Sequence, residues 1–471
     1  LADVVGILPK FLKKMGHDVR VVMPRYYKID KTKLKPVDCA MPLGVPMGII
    51  GEQWCGVYEG VLPNSDVPIY FIDHEVYFGR DTLYNNEAGE GFLDNDNRFV
   101  FLSRAAMQLS KALRFKPDIL HANDWHTAAV AVFLNTLYRN DLDFAGCASV
   151  LTIHNMQYQG QFYEGLMDVL GVGWEHFNFL ELEQNDCVNL LKGGMYHANM
   201  VNTVSEGYRN ETMTPEYGYG LEGVAKDRAA WYVGILNGMD YEEWNPADDK
   251  YLVANYDIGN MDGKALCKAD IQKIMGLPIT DQKPLFGVVS RLVEQKGVHI
   301  LADAFEWIMG LDVQFVMLGE GDAWAHEFFR SMAQKYPQKF AVKIGYDNAL
   351  AHKIEAGADF FVMPSIFEPC GLNQMYSLRY GTPPIIRATG GLDDTVENFD
   401  EKHKSGTGFK FHDATASALY NTIGWANYTF YNDKNGLERL RENGMRLRFT
   451  WGESAKKYET LYLRAIELKR K

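Results

Sequence analysis

The chain is poor in cysteine, has no long apolar run and carries no excess of positive charge. Its six cysteines (Cys39, Cys55, Cys147, Cys187, Cys267, Cys370) show neither Cys-X-X-Cys spacing nor a paired framework. That excludes a disulfide scaffold and fits reduced thiols in a cytosol-like compartment. No stretch approaches the roughly 20 apolar residues that cross a bilayer, and no signal or transit peptide is visible. Lys and Arg number 48 against 61 Asp and Glu, a formal charge of −13. This argues against nucleic acid or an anionic membrane as partner. Internal repeats and low-complexity tracts are absent as well. What remains is core-forming: 47% hydrophobic and 13% aromatic over 471 residues. Such a length exceeds one ordinary core, so two domains are expected. An acidic, aromatic-rich surface suits a neutral polysaccharide.

Continuous apolar runs such as residues 149–154 and 284–290 indicate parallel strands covered on both faces. Residues 1 to about 237 read as one alternating α/β unit, with a strand ending at His121 and an aromatic, loop-rich elaboration over 42–91. The Asn237-Gly238 turn, followed by Trp244-Asn245-Pro246, reads as a hinge. A second α/β unit follows, with strands near Phe286, Phe315 and Phe361. Residues 451–471 form a final helix.

Two motifs in the second half carry chemistry. Arg291 and Lys296, in Ser290-Arg291-Leu292-Val293-Glu294-Gln295-Lys296-Gly297, lie just past a buried strand. Doubly wound sheets bind ligands at that end of a strand. Two fixed positive charges there suit a diphosphate whose charge grows as a bond to it breaks. Alone, the pair reads as a solvated basic loop. The second motif reverses that reading. After the strand of residues 359–364 comes a loop with one carboxylate, Glu368, and then Cys370-Gly371-Leu372-Asn373 opens an apolar-periodic helix. Glycine at a helix start lets a phosphate approach backbone N–H groups, and Glu368 then faces a sugar hydroxyl beyond the phosphates. Thr389-Gly390-Gly391-Leu392 repeats the turn-into-helix pattern. Three such turns in order, each after a strand, point to a bound phosphate. Cys370 has no base beside it in sequence and reads as a small hydrophobe rather than a nucleophile.

With these motifs the chain resembles the bacterial glycogen synthase and plant starch synthase family. His121-Ala122-Asn123-Asp124-Trp125-His126, Thr152-Ile153-His154-Asn155-Met156-Gln157-Tyr158-Gln159-Gly160 and Ile235-Leu236-Asn237-Gly238-Met239-Asp240 match family blocks in family order. The resemblance covers essentially the whole chain. It implies a GT-B α/β architecture of two Rossmann-like, doubly wound parallel-sheet domains facing a cleft. An acceptor (glucan) domain spans 1–237, a nucleotide-sugar domain 238–447, and a C-terminal helix, 448–471, returns to the first domain. It further implies transfer of glucose from ADP-glucose to the 4-hydroxyl of an α-1,4-glucan with retention, in a bacterial cytoplasm or plastid stroma. Because the family has a strand and a Lys-X-Gly-Gly turn before the residues matched by Leu1-Ala2-Asp3-Val4, the chain is expected to be truncated at its N-terminus. Loss of that phosphate-binding lysine is expected to impair activity.

The resemblance also assigns roles. Arg291 and Lys296 neutralise the leaving diphosphate, helped by amides around Cys370, Gly371, Leu372, Thr389, Gly390 and Gly391. Glu368 meets a sugar hydroxyl. His154, beside Asn155, serves the sugar through its imidazole, its main-chain carbonyl or both. Asp124, which by itself reads as a cap for the next helix, is placed at the acceptor or glucose pocket. Asn237 meets the sugar-phosphate region, Tyr346 stacks on adenine, and Asp3 lies near the sugar. Trp125 and Tyr158 either stack on glucan or are buried. Ile366 and Asn373 depart from the Arg and Thr of the family pattern, which puts local phosphate or acceptor contacts in question.

A retaining reaction through a covalent intermediate needs a carboxylate nucleophile, and the sequence offers no obvious one. A same-face mechanism, with the departing phosphate taking the acceptor proton, fits better. No Asp-X-Asp motif lies beside the basic pair, so no metal or other cofactor is expected. Two rival readings are a UDP-sugar enzyme on the same fold and a non-catalytic glucan-binding or scaffold protein.

Overall fold

The computed structural model describes residues 2–86 and 89–470, Asp3 by its backbone alone. The chain forms two compact units. One comprises Leu1–Val204, Arg209–Ile235 and Trp451–Lys471; the other comprises Ser205–Tyr208 and Leu236–Thr450. No helix among the described residues is long and apolar enough to cross a membrane.

In the first unit the strands are β1 (Val21–Pro24), β2 (Lys35–Pro36), β3 (Leu43–Pro46), β4 (Glu52–Val61), β5 (Pro68–Asp73), β6 (Ile119–Asn123), β7 (Ala148–Ile153), β8 (Gln161–Tyr163), β9 (Glu183–Gln184), β10 (Cys187–Asn189), β11 (Met200–Thr203) and β12 (Tyr232–Gly234). A parallel sheet runs β12-β11-β7-β6. Every residue of β7 is buried, as expected for a strand covered on both faces. A second sheet pairs β1 with β5 in parallel and then β4 antiparallel to β5. The segment expected to be loop-rich therefore contains the ten-residue β4. Its period-2 signal is interrupted by Gly56 and Gly60, yet Cys55 and Val57 are buried on one face while Trp54 is exposed.

The first and last helices share one core. Val4, Leu8 and Leu12 of helix Ala2–Lys14 recur every fourth residue, and all three are buried. They cluster with Trp451, Ala455, Tyr458, Leu461 and Ala465 of helix Trp451–Arg470 and with Val150 and Met200 of the parallel sheet. The C-terminal helix thus belongs to the first unit. A polar thread fixes it there. His121 bonds the Tyr462 hydroxyl at 2.9 Å and the Thr152 hydroxyl at 2.6 Å. Thr152 donates to Asn202, whose amide donates to the Tyr458 hydroxyl. Burial lowers the His121 imidazole to about 4, so it stays neutral. Tyr462→Phe strips one His121 nitrogen of its partner, and a stability loss of about 1–2 kcal/mol is expected in denaturant melts. No change would show the thread to be incidental.

The second unit is built on β13 (Leu285–Leu292), β14 (Gln314–Gly321), β15 (Phe340–Ile344), β16 (Phe360–Met363), β17 (Pro384–Arg387) and β18 (Phe409–Phe411). All pairs are parallel, in the spatial order β15-β14-β13-β16-β17-β18. Phe286, Phe305, Phe315, Phe340, Phe360 and Phe409 fill its core. Strand order reverses between β13 and β16, so the ligand crevice of such a sheet opens at their carboxyl ends. Ser205–Tyr208 joins this unit because the Ser205 hydroxyl donates to the Pro369 carbonyl and the Gly207 N–H to Asp394. Near the expected hinge, the Met239 N–H donates to the Phe449 carbonyl at 2.8 Å, so the two chain passages there lie side by side.

Candidate active site

The reversal point carries the two C-terminal motifs. Arg291 lies inside β13 rather than past it, because β14 pairs with the strand as far as Leu292. Its exposed guanidinium donates to Gln295 Oε1 at 3.2 Å. Lys296 ends the 3₁₀ turn Glu294–Lys296, and Gly297 leaves it at φ 68°. A Cβ at Gly297 would overlap the Pro364 carbonyl, so only glycine lets this turn lie against the loop after β16. The two loops are then joined by the Ile366 N–H, which donates to the Gln295 carbonyl at 2.9 Å. The outcome is an ion pair. Lys296 Nζ donates to Glu368 Oε2 at 2.5 Å, and the Ser365 hydroxyl donates to the same oxygen at 3.2 Å. The sequence suggested separate targets for the lysine and the carboxylate, a phosphate and a hydroxyl. Here they bind each other.

Arg291, Lys296, Ser365, Glu368 and Gly371 border a depression of about 340 Å³. Of the glycines in these turns, Gly371 lines it and Gly390 and Gly391 do not. A Cβ at Gly391 would overlap the Cys370 carbonyl, and the Gly391 N–H donates to the Glu368 carbonyl at 3.0 Å. Thr389 and Gly390 are buried beside this contact, and Leu372 precedes helix Asn373–Arg379. That helix has 7 residues and helix Gly390–Thr395 has 6, shorter than an apolar-periodic run suggests. Asn373 does not reach outward, because its amide donates to the Val289 carbonyl at 2.7 Å. Ile366 packs against the core of the sheet. Asn237 is buried and hydrogen-bonds the Cys370 thiol. Tyr346, past the end of β15, is 85% exposed, so its ring is free to stack.

Burial pushes the Cys370 thiol up to about 12, leaving almost no thiolate to attack anything. Cys370→Ala is expected to keep turnover within about threefold, and thiol reagents should label exposed Cys39 first. A hundredfold loss would show the sulfur to be chemical.

In the first unit, Asp124 and His154 follow the neighbouring strands β6 and β7. Asp124 does not cap its helix. The cap position is Asn123, whose N–H donates to the Thr127 hydroxyl at 2.6 Å. Asp124 adopts φ 55°, a region that non-glycine residues enter at a cost, and its carboxylate accepts the His154 N–H at 2.7 Å. The Asn155 N–H hydrogen-bonds the same carboxylate. Desolvation nevertheless raises its pKa from 3.8 to about 6. His154 is held neutral, its pKa driven well down by burial. Its Nε2–H donates to Asn123 Oδ1 at 3.0 Å, which leaves Nδ1 as the acceptor. Trp125 is buried against Phe99, Phe162 and Gly160, whereas Tyr158 is 54% exposed. The Asp3 side chain lies outside the described residues. Asn123 and Ser365 were missed from the sequence, although each sits within a motif that it pointed to. Neighbourhood in the motif was the available signal.

The family described as starch synthase catalytic domain matches residues 1–227, and that of group 1 glycosyl transferases matches 272–445. Glycogen synthase 1 of Geobacter metallireducens is 62% identical over 99% of this chain and 93% of its own. The chain belongs to the glycogen and starch synthase family. The glycogen synthase of Treponema denticola is 43% identical over 100% of this chain and 96% of its own. Among solved structures, the catalytic domain of Starch Synthase IV from Arabidopsis thaliana, bound to ADP and acarbose, superposes with a TM-score of 0.88. It is 33% identical over 99% of this chain and 95% of that one. The fold is accordingly the GT-B glycosyltransferase fold, and the chain is a glucosyltransferase of the glycogen and starch synthase type.

Proposed function

We propose that this synthase transfers glucose from ADP-glucose to the 4-hydroxyl of an α-1,4-glucan with retention of configuration. One observation carries the reading: the Lys296–Glu368 pair, with Arg291 beside it, sits at the strand-order reversal of the second unit. A diphosphate there meets two fixed cations whose hold strengthens as the glycosidic bond to phosphate breaks. Glu368, already hydrogen-bonded, needs only to exchange one donor for a sugar hydroxyl. Asn237, Cys370, Gly371, Leu372, Thr389, Gly390 and Gly391 shape the phosphate-binding loops. Tyr346 supplies a free ring for adenine, in keeping with the ADP bound by the Arabidopsis relative.

In the first unit, His154 and Asp124 serve the glucosyl group and Asn155 the substrate beside them. The neutral His154 imidazole is an acceptor and not a nucleophile with charge to offer. The departing phosphate takes the acceptor proton on the same face, so no glycosyl-enzyme forms. Trapping such an adduct on any side chain would refute this. The two basic residues replace a divalent ion at the diphosphate, and turnover at 25 °C is expected to survive chelation. The enzyme acts in the cytoplasm, with ADP-glucose and glucan as its partners. The deciding experiment measures labelled glucose entering glycogen from ADP-glucose and from UDP-glucose, using full-length protein. Preference for ADP-glucose supports the proposal. Preference for UDP-glucose, or glucan binding without incorporation, overturns it.

A further inference from the structure

In the first unit, three donors converge that the transfer reaction does not use. His176, Glu181 and His197 each place a ring nitrogen or carboxylate oxygen within 4.8 Å of the others. Among the described residues this is the one group of three such side chains gathered so closely. Glu181 Oε2 lies 2.7 Å from His176 Nδ1 and 3.0 Å from His197 Nε2. A hydrogen bond accounts for the first distance but not for the second. His197 is 9% exposed, and its Nε2, buried and facing the carboxylate at ion-pair distance, makes no well-aligned hydrogen bond. A buried imidazole nitrogen that faces an oxygen without bonding it is costly. A cation between them satisfies both.

We infer that His176, Glu181 and His197 form a structural binding site for a divalent transition metal of the zinc class. Two imidazoles and a carboxylate suit zinc and its first-row neighbours, whereas magnesium and calcium prefer all-oxygen sites. Four-coordinate zinc, with bonds of about 2.0–2.1 Å, spaces its donors about 3.3 Å apart. The two separations to Glu181, 2.7 and 3.0 Å, lie just below that value, and the two ring nitrogens lie within 4.8 Å of each other. The Asn178 amide donates to Glu181 Oε1 at 3.2 Å, which turns Oε2 toward the two rings. The partial exposure of His176 and Glu181 leaves room for water as the fourth ligand. His197 ends helix Leu190–His197, while His176 sits in the 3₁₀ turn Trp174–His176. The metal therefore pins the irregular stretch before β9 to a buried helix, and its effect is on stability rather than on turnover.

Untagged full-length protein is stripped with chelator and titrated with zinc against a chromophoric chelator. One zinc ion per chain is expected, with a rise in Tm on binding. His176→Ala and Glu181→Gln, both at partly exposed positions, are each expected to weaken zinc binding on the order of 100-fold and to abolish the rise. Cobalt(II) should give the intense visible absorption of a four-coordinate complex in the parent and not in His176→Ala. Unchanged zinc affinity in both variants, or no stoichiometric zinc on the parent protein, would overturn the assignment.

Discussion

Lys296→Ala is expected to lower turnover by on the order of 10²–10³, the usual effect of removing one preorganised charge from a developing anion. The structure adds a second consequence. Glu368 is 6% exposed and has Lys296 and the Ser365 hydroxyl as its donors. Removing the lysine leaves a buried carboxylate with one neutral donor, at a cost of about 2 kcal/mol once the partial exposure of Lys296 is allowed for. Lower activity from a less stable protein is ambiguous by itself. Adding Glu368→Gln removes the stranded charge, so the double variant should recover most of the lost Tm while turnover stays low. Turnover that recovers together with Tm would make the lysine structural. Near-normal turnover in Lys296→Ala alone would remove it from the chemistry altogether.

The second large effect concerns Asp124. Its carboxyl titrates at about 6 in the folded protein against 3.8 ordinarily, so the folded state binds the proton more tightly. The stabilising protonated form is fully present below 3.8, and stability is lost as pH rises through about 6. The swing is about 3 kcal/mol between roughly pH 4 and pH 7. Asp124→Asn should remove that swing from pH-dependent melts. Asparagine also tolerates the positive φ and keeps an oxygen for the His154 N–H. Turnover should still fall about 10–100-fold, because a neutral amide is the weaker acceptor for the two N–H groups that position His154 and Asn155. A melt profile parallel to that of the parent would show that Asp124 titrates elsewhere. Full turnover in Asp124→Asn would show that its charge is not used.

Much of this was legible in the sequence. Largely apolar runs marked β7 and β13 as parallel strands, since a strand covered on both faces lacks the polar–apolar alternation of a half-exposed one. Glycine turns after strands marked where Cys370, Gly371, Gly390 and Gly391 lie, because the backbone approach they permit is a local property. The pattern of blocks was enough to name the family. Less legible was the stretch around β4, where glycines break the alternation by which an antiparallel strand is recognised.

The sequence by itself determined the two-part α/β organisation and the residues that gather at the carboxyl ends of its strands. The tertiary structure decided what those residues do to one another. Lys296 and Glu368 are 72 positions apart, and His121 and Tyr462 are 341 apart. No spacing rule reaches across such intervals. Asp124 could have capped its own helix, and only the arrival of β7 beside β6 turned its carboxylate to His154. Local signals follow from backbone geometry and can be read along the chain. The Lys296–Glu368 ion pair and the His121–Tyr462 hydrogen bond form only because the fold brings distant segments side by side.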